Sequence, residues 1–307
     1  MEVIQLTDRF TIVHLTAGEF ISVKPFTREQ LFVLYRIVFG KSSEEFKKLN
    51  LWHSNAPGTV HYYLGIDCGN LVSFNYYLRF DGKLFSYALS GGSFTHPEHK
   101  GSFLPLFQHA TKSMLQNTQL LMGFCNDNSF RVFCHPVNRW QEITSFRQYR
   151  LIQPIKEYEQ HFPYIAGLKS DAVSSSLILF PLRRDQDYIS WRLSNIPDAD
   201  ILLNAQTGMV AVLKRFQHSM DVITILNCKT AYEYVDELSG LFAHYQKQNK
   251  DFEGLNVYVS FHETETILSE RFLLIPNPHE RHLCIKSREA APLNFSLAVE
   301  MIDADLF

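Results

Sequence analysis

The stretch Leu84–Trp140, LFSYALSGGSFTHPEHKGSFLPLFQHATKSMLQNTQLLMGFCNDNSFRVFCHPVNRW, decides how the chain is read. It opens with an expected strand, Leu84–Thr95, rich in Phe, Tyr, Leu and Ser. A tight loop follows, Pro97-Glu98-His99-Lys100-Gly101-Ser102, in which titratable or cationic residues precede two small ones. A helix is expected to start near Ser102, because Phe103, Phe107, Ala110 and Met114 recur at helical spacing on one face. Leu120–Phe124 is a short apolar run of the kind a doubly covered strand carries. An Asn-bearing turn then leads to a short helix over Ser129–His135, ended by Pro136. A strand that enters a small-residue loop at a helix N-terminus makes an anion site, since free N–H groups and the positive end of the helix dipole point outward there.

Thr95-His96-Pro97-Glu98, His99-Lys100-Gly101-Ser102 and Gly123-Phe124-Cys125-Asn126-Asp127-Asn128-Ser129 together resemble the core motifs of the GCN5-related N-acetyltransferase (GNAT) superfamily. The match is to a bacterial branch with two tandem GNAT-like domains. The resemblance implies an α/β (α+β) fold with mixed central sheets flanked by helices. It implies acetyl-CoA as the cofactor, with a pantetheine arm along Ser93, Phe94 and Thr95. The pyrophosphate would lie over His99, Lys100, Gly101, Ser102 and Phe103, and Asn126, Asn128 and Phe133 would pass near the thiol.

The loop departs from the family pattern, which is roughly Gln/Arg-x-x-Gly-x-Gly/Ala. With Lys100 in the cationic place, Phe103 and Pro105 stand where small residues belong. With His99 there, Ser102 and Leu104 do; the helix face favours this second register. A second departure concerns the general acid. Many members carry a Tyr seven residues after the first Asn, where its phenol protonates the departing thiolate. That position here is Phe133, and no Tyr occurs from Asn126 to Trp140. Cys134, His135 or a water are the substitutes, or the thiolate leaves unassisted.

Each of these residues has a plainer alternative. The loop can be an ordinary strand-to-helix turn with Ser102 as cap. Gly91-Gly92 mark a bulge or a close backbone approach, or a plain strand end. Asn126-x-Asn128-Ser129 is itself a cap-and-turn sequence. Tyr87, Ser90, His53 and Glu98 are candidate bases by resemblance, but lone histidines such as His53 and His61 are more often packed or superficial. His96-x-x-His99 lacks a third ligand at metal spacing, so no metal is expected.

Composition bounds the rest. The 307 residues predict one or two domains, and 46% hydrophobic with 20% charged residues excludes disorder. The 25 Phe and 14 Tyr suggest many short strands with large buried side chains. A net charge of −3 predicts no nucleic-acid partner. No run approaches the ~18 apolar residues of a membrane span, and MEVIQLTDRF has neither the basic start nor the apolar run of a secretory signal. Five scattered cysteines without a CxxC pair argue against a zinc site or a disulfide framework. Together these predict a cytoplasmic protein.

Outward from the core, Met1–Leu15 predicts a hairpin turning at Asp8-Arg9, and Phe20–Pro25 a first strand. Helices are expected from an N-cap at Thr27, with Gln30 completing a capping box, and from Ser42. His61–Cys68 and Leu71–Phe80 predict a hairpin around Gly69-Asn70, and Asp81-Gly82 a second turn. Closing strands are expected at Trp140–Phe146 and Tyr149–Ile152. Lys156–Ser175 breaks the pattern and predicts an interdomain connection, dividing the chain into 1–155 and 156–307. The second half reads as a weathered copy of the same fold: Asp187–Leu193, strands at Asp200–Ala205, Met209–Phe216 and Met220–Leu226, a helix over Ala231–Gln248, a strand at Leu255–Phe261, a short helix at Glu263–Leu268 and an Asp-x-Asp-Leu-Phe ending. Its loop Asn227-Cys228-Lys229-Thr230 has no glycine, which predicts no second cofactor site.

The expected function is an N-acetyltransferase acting by direct attack of a small-molecule amine on acetyl-CoA, the acceptor being an amino sugar, amino acid or polyamine. The alternative is a degenerate GNAT-like protein that binds a ligand or partner without catalysis. An aminoacyl-tRNA-dependent transferase fits the tandem layout but not the acidic balance.

Overall fold

The structure is a computed structural model describing residues 1–81, 86–155, 164–165, 186–196, 199–259 and 262–288. It divides into two compact units. The first is Met1–Ile143 with Leu283–Leu293, and the second is Thr144–His282 with Asn294–Phe307. A contiguous split at 155/156 therefore differs from the observed grouping, which breaks at 143/144 and assigns 283–293 to the first unit. Two long strands, Gln141–Pro154 and Phe272–Ser287, run across the division, and no turn signal marks it in the sequence.

The first unit begins with β1 (Glu2–Gln5) and β2 (Phe10–Thr16), paired antiparallel as the hairpin expected from Asp8-Arg9. Phe20–Pro25 is not a strand. Thr16 and Glu19 form a capping box that starts a 3-10 helix over Ala17–Ser22 and buries Phe20. Those bonds, led by the Thr16 backbone N–H, hold the Glu19 carboxyl down to about 2. Helix α1 (Pro25–Phe39) starts two residues before the expected Thr27 cap, because Pro25 sits at its first position with φ already set for a helix. Gln30 instead donates to the Gly69 carbonyl, 2.6 Å away. Helix α2 (Ser43–Ser54) is capped by Ser42, with Glu45 completing the box.

Strands β3 (Thr59–Asp67) and β4 (Asn70–Asp81) form the expected hairpin, with the turn one residue earlier than expected. Cys68 and Gly69, at φ 49° and 85°, are its two left-handed residues, as a primed two-residue turn requires. The turn at Gly82 lies outside the described residues. β5 (Ser86–Thr95) pairs antiparallel with β4. A short 3-10 helix over Pro97–Ser102 then runs into α3 (Phe103–Asn117). β6 (Leu120–Asn126) pairs parallel with β5, and α4 (Asp127–Phe133) follows. The strand order is β1-β2-β3-β4-β5-β6, and the end of Phe272–Ser287 borders β6.

Helix α3 lays Leu106, Phe107, Ala110 and Met114 on one face of this sheet, against Tyr63, Tyr77, Ala88 and Leu121. The opposite face carries an aromatic cluster in which Phe20, Tyr35, Phe46, Tyr62, Phe74 and Phe94 meet at ring separations of 4.9–6.1 Å. Each fully buried ring or leucine contributes about 1.5–3 kcal/mol over an exposed one.

The second unit holds β7 (Gln141–Pro154, from Thr144 on), which is one continuous strand where two were expected, followed by β8 (Tyr164–Ile165) and α5 (Gln186–Ser194). Next come β9 (Ala199–Asn204), β10 (Val210–Phe216), β11 (Ser219–Leu226), α6 (Ala231–Gln248), β12 (Gly254–Val259), α7 (His262–Arg271) and β13 (Phe272–Ser287, up to His282). Its order is β13-β7-β12-β11-β10-β9-β8, with β11 and β12 parallel. The apolar stripe Val235, Leu238, Leu241, Phe242 and Tyr245 of α6 packs on Leu213, Val222, Leu255 and Val257. β13 had no sequence signal, since Pro276 and Pro278 remove two ladder donors. Apart from Tyr164 and Ile165, the expected connection over 156–175 lies outside the described residues, as does the ending 295–307.

One pH dependence follows from the first sheet. His61 on β3 meets His14 on β2, Nδ1 to Nε2, at 3.1 Å. Burial, and then the neighbouring His14, push the His61 imidazole down to about 4. The unfolded chain thus binds more protons between about 4 and the ordinary 6.5, so stability falls as pH drops through that window and levels off below it. Urea midpoints measured from pH 7 to 4 should fall in the native protein and fall less in His61→Gln. Equal slopes in the two proteins would show that this pair does not titrate as described.

Candidate functional site

The parallel pair β5 and β6 is bonded only from Tyr87↔Leu120 to Ser90↔Gly123. Beyond Ser90 neither strand has the other as partner, so Gly91–Thr95 and Phe124–Asn126 form the two arms of a fork. Parallel neighbours end on the same edge of a sheet, and crevices outside such carboxyl ends are where open α/β sheets hold ligands. The residues expected to hold the cofactor lie on an arm of this fork or on the segments that leave it.

A register break shapes the first arm. Tyr76 faces Gly91 and Phe74 faces Phe94, so Asn75 alone opposes Gly92 and Ser93. This is a β-bulge, and Gly92 adopts φ +55°, as the left-handed residue of such a bulge does. A Cβ on Gly92 would stand 2.3 Å from the Tyr76 ring. Phe94 turns back into the aromatic cluster, stacked on Phe74 at 4.9 Å. Thr95 bonds the Ser73 hydroxyl at 2.7 Å, and Ser73 in turn bonds Ser102 at 2.6 Å.

The loop is tighter than a plain phosphate cradle. His96 Nδ1 accepts from the Glu98 N–H, the His99 N–H donates to the His96 carbonyl, and the Phe103 N–H donates to the Lys100 carbonyl. Ser102 does not cap α3; its hydroxyl donates to the His99 carbonyl at 2.8 Å, because the chain is already helical on both sides of it. His99 Nδ1 lies 3.5 Å from an Asp67 carboxylate oxygen. Lys100 and Gly101 are exposed, and a Cβ on Gly101 would meet nothing within 4 Å. Among the described residues no group of three or more His, Cys, Asp or Glu could hold a metal ion.

On the second arm, Asn126 is the cap of α4, its Oδ1 accepting from the Asn128 and Ser129 N–H groups at 3.1 and 2.9 Å. The side chain of Asn128 is exposed. Phe133 is buried over Gly123, where a Cβ would come within 2.3 Å of its ring. Its other faces meet Phe107 and Trp140 at 4.5 and 4.7 Å. Cys134 Sγ lies 3.6 Å from Cys284 Sγ, and burial, then that neighbour, push its thiol up to about 12. A thiol at that value holds its proton too tightly to be a useful acid. His135 is exposed, with Nδ1 accepting from the Val137 N–H.

The candidate bases are dispersed. Glu98 is exposed, and Tyr87 is buried against Phe80 at 5.2 Å. His53 is buried on the aromatic side, bonded to the Tyr62 phenol at 2.8 Å. Ser90 sits at the vertex of the fork, 3.5 Å from Asn75 Oδ1. Asn75, wholly buried on β4, was missed in the sequence. Its only signal is a second polar residue, after Ser73, inside the largely apolar run Leu71–Phe80.

The second unit repeats the plan in part. β11 and β12 pair only over Ser219↔Gly254 to Asp221↔Asn256, and Ile223 is the extra residue at a register break against β10. Its helix start is closed by its own side chains: the Thr230 hydroxyl accepts from the Glu233 N–H at 3.1 Å, and the Glu233 carboxylate accepts from the Lys229 N–H at 2.7 Å. A carboxylate in that first turn occupies the donors and opposes an anion.

No protein-family model and no curated protein matches this sequence. Solved structures do match. A putative acetyltransferase from Pyrococcus horikoshii aligns with a TM-score of 0.61 at 10% identity, over 97% of this chain and 95% of its own. A tandem GNAT protein from the clavulanic acid biosynthesis pathway aligns with a TM-score of 0.57 at 10% identity, over 92% and 99%. A GCN5-related N-acetyltransferase from Kribbella flavida gives 0.58 at 11% identity, over 92% and 72%. The chain thus has the GNAT fold, in two tandem units. No helix among the described residues is long and apolar enough to cross a membrane.

Two stability outcomes test this geometry. Gly92→Ala places a Cβ at a left-handed position against a ring and should cost about 1–3 kcal/mol in urea unfolding. Gly101→Ala, in open space, should stay within about 0.5 kcal/mol; equal costs would refute the bulge. Phe133→Ala empties the space over Gly123 and should cost about 3–5 kcal/mol. A loss below about 1 kcal/mol would mean that the ring is not packed as described.

Proposed function

We propose that the chain is an N-acetyltransferase that takes acetyl-CoA as acyl donor and a small-molecule amine as acceptor, in the cytoplasm. The observation that carries the reading is the fork: a parallel pair that stops at Ser90↔Gly123, with a glycine bulge on the arm beyond. Unpaired backbone on Gly91–Thr95 offers ladder partners to an amide-bearing arm, and Gly123 leaves no Cβ at the vertex. Lys100 adds a cation and Gly101 an unobstructed backbone beside the start of α3. These features fit the carrier, which supplies an acyl group already activated as a thioester. Within this reading the first unit holds the carrier, and the second holds none, its own helix start being closed by Thr230 and Glu233.

The chain's own contribution is placement. Bulge backbone donors would face the acyl carbonyl, where a preorganised N–H lowers the barrier. Phe133 presents no proton and burial pushes the Cys134 thiol up, so neither of them serves as the acid, and the rate would come mainly from holding amine and acyl carbon together. The second reading, a GNAT-fold protein that binds without catalysis, is favoured by Phe133 and by the Phe103 N–H that is already bonded within the loop.

Thermal unfolding with acetyl-CoA tests both. At about 100 times its dissociation constant a ligand should add roughly 2.7 kcal/mol, a visible shift. A shift that is weakened in a Lys100→Ala, Gly101→Val double variant, together with CoA release when amines are added, supports the enzyme. A shift without release in a broad amine screen supports the binding protein. No shift at millimolar acetyl-CoA refutes both as readings of this site.

A further inference from the structure

β4 presents three polar side chains, Ser73, Asn75 and Tyr77, to the face covered by α3, and each is tied to a neighbour. Ser73 bonds Ser102 and Thr95 at 2.6 and 2.7 Å. Tyr77 bonds Thr111 of α3 at 3.2 Å, and burial raises its phenol to about 12. Asn75 is the middle member, with no exposed surface. Its Oδ1 accepts from Ser93 Oγ at 2.6 Å and from Ser90 Oγ at 3.5 Å.

These two serines bracket the decisive point of the fork. Ser90 is the last residue of β5 bonded to β6, and Ser93 is the second of the two bulge residues. Asn75 is itself the single residue opposite that bulge, so the clamp spans the place where the ladder has lost its own register. A glycine-bearing bulge with no ladder partner is free to slip, and a buried side-chain bond to the strand across from it prevents that. An apolar side chain would fill the same space without burying a carboxamide, an exchange that core packing alone favours. The Asn75 Nδ2 is buried with no hydrogen-bond partner among the described residues, so the carboxamide is kept at a cost, and what it supplies in return is the pair of bonds that its Oδ1 accepts from Ser93 and Ser90.

We infer that Asn75 is a positioning residue that fixes the Gly92–Ser93 bulge, and through it sets the preference of the site for an acylated carrier over an unacylated one. The inference rests on the acyl-CoA reading above. It acts through backbone donors, since of the groups that distinguish acetyl-CoA from desulfo-CoA, the sulfur and the acetyl group, the carbonyl is the strong hydrogen-bond acceptor.

The test is calorimetric titration of the full chain with acetyl-CoA and with desulfo-CoA, which lacks the sulfur and the acyl group. The unaltered protein should favour acetyl-CoA. In Asn75→Ala and in Ser93→Ala that advantage should fall about tenfold, the worth of one hydrogen bond. In Asn75→Ala desulfo-CoA should bind within twofold of the unaltered protein, and the double variant should lose no more of the preference than either single one. A role in stability alone would weaken both ligands equally, and that result overturns the inference, as does an unchanged preference in a folded variant. Ser93 lies on the bulge itself and is partly exposed, so Ser93→Ala keeps the test decisive where Asn75→Ala fails to fold. Equal binding of the two ligands by the unaltered protein also overturns the inference while leaving the carrier site standing. Binding of neither overturns the acyl-CoA reading.

Discussion

A single residue of β4 facing two of β5 governs the first unit. Antiparallel pairing would otherwise carry β5 straight along β4 to Thr95. The extra residue bends the strand, and pairing with its parallel partner β6 stops after Ser90. The fork is therefore a consequence of register: backbone groups left without partners inside a sheet are costly unless something else meets them.

The bulge persists because both faces of the sheet hold it. On one, Tyr76 lies so close beneath Gly92 that no side chain fits there, and the Phe74–Phe94 stack pins the strand just past the bulge. On the other, Asn75 grips Ser93, and Ser73 joins Thr95 to Ser102. Aromatic packing supplies the energy, and short polar bonds choose among arrangements of nearly equal burial.

The second unit makes the contrast. It has the same strand–helix–strand core, a register break and a short parallel pair. At the helix start, however, Thr230 and Glu233 satisfy the free donors internally. Local partners are present at both helix starts, for the Glu98, His99 and Phe103 N–H groups in the first unit and for those of Lys229 and Glu233 in the second, and what sets the second apart is that a carboxylate is one of them.

The sequence by itself determined most of the element order up to β12, because apolar periodicity and turn chemistry are local. The helix over Ala231–Gln248, the Ser42 cap and the Asp8-Arg9 hairpin all read directly. It also showed that no Tyr occurs from Asn126 to Trp140 and that the loop keeps only one glycine. Where a local signal had a stronger competitor it misled: Pro25 outranked Thr27 as the start of α1, and the Thr16–Glu19 box turned Phe20 out of a strand. Tertiary structure alone decided the rest. That Asn75 lies opposite the bulge, that Phe133 seals Gly123, and that residues 283–293 group with the first unit all depend on which strands become neighbours. Cross-strand register is set by burial summed over a whole sheet, so no short window of residues contains it.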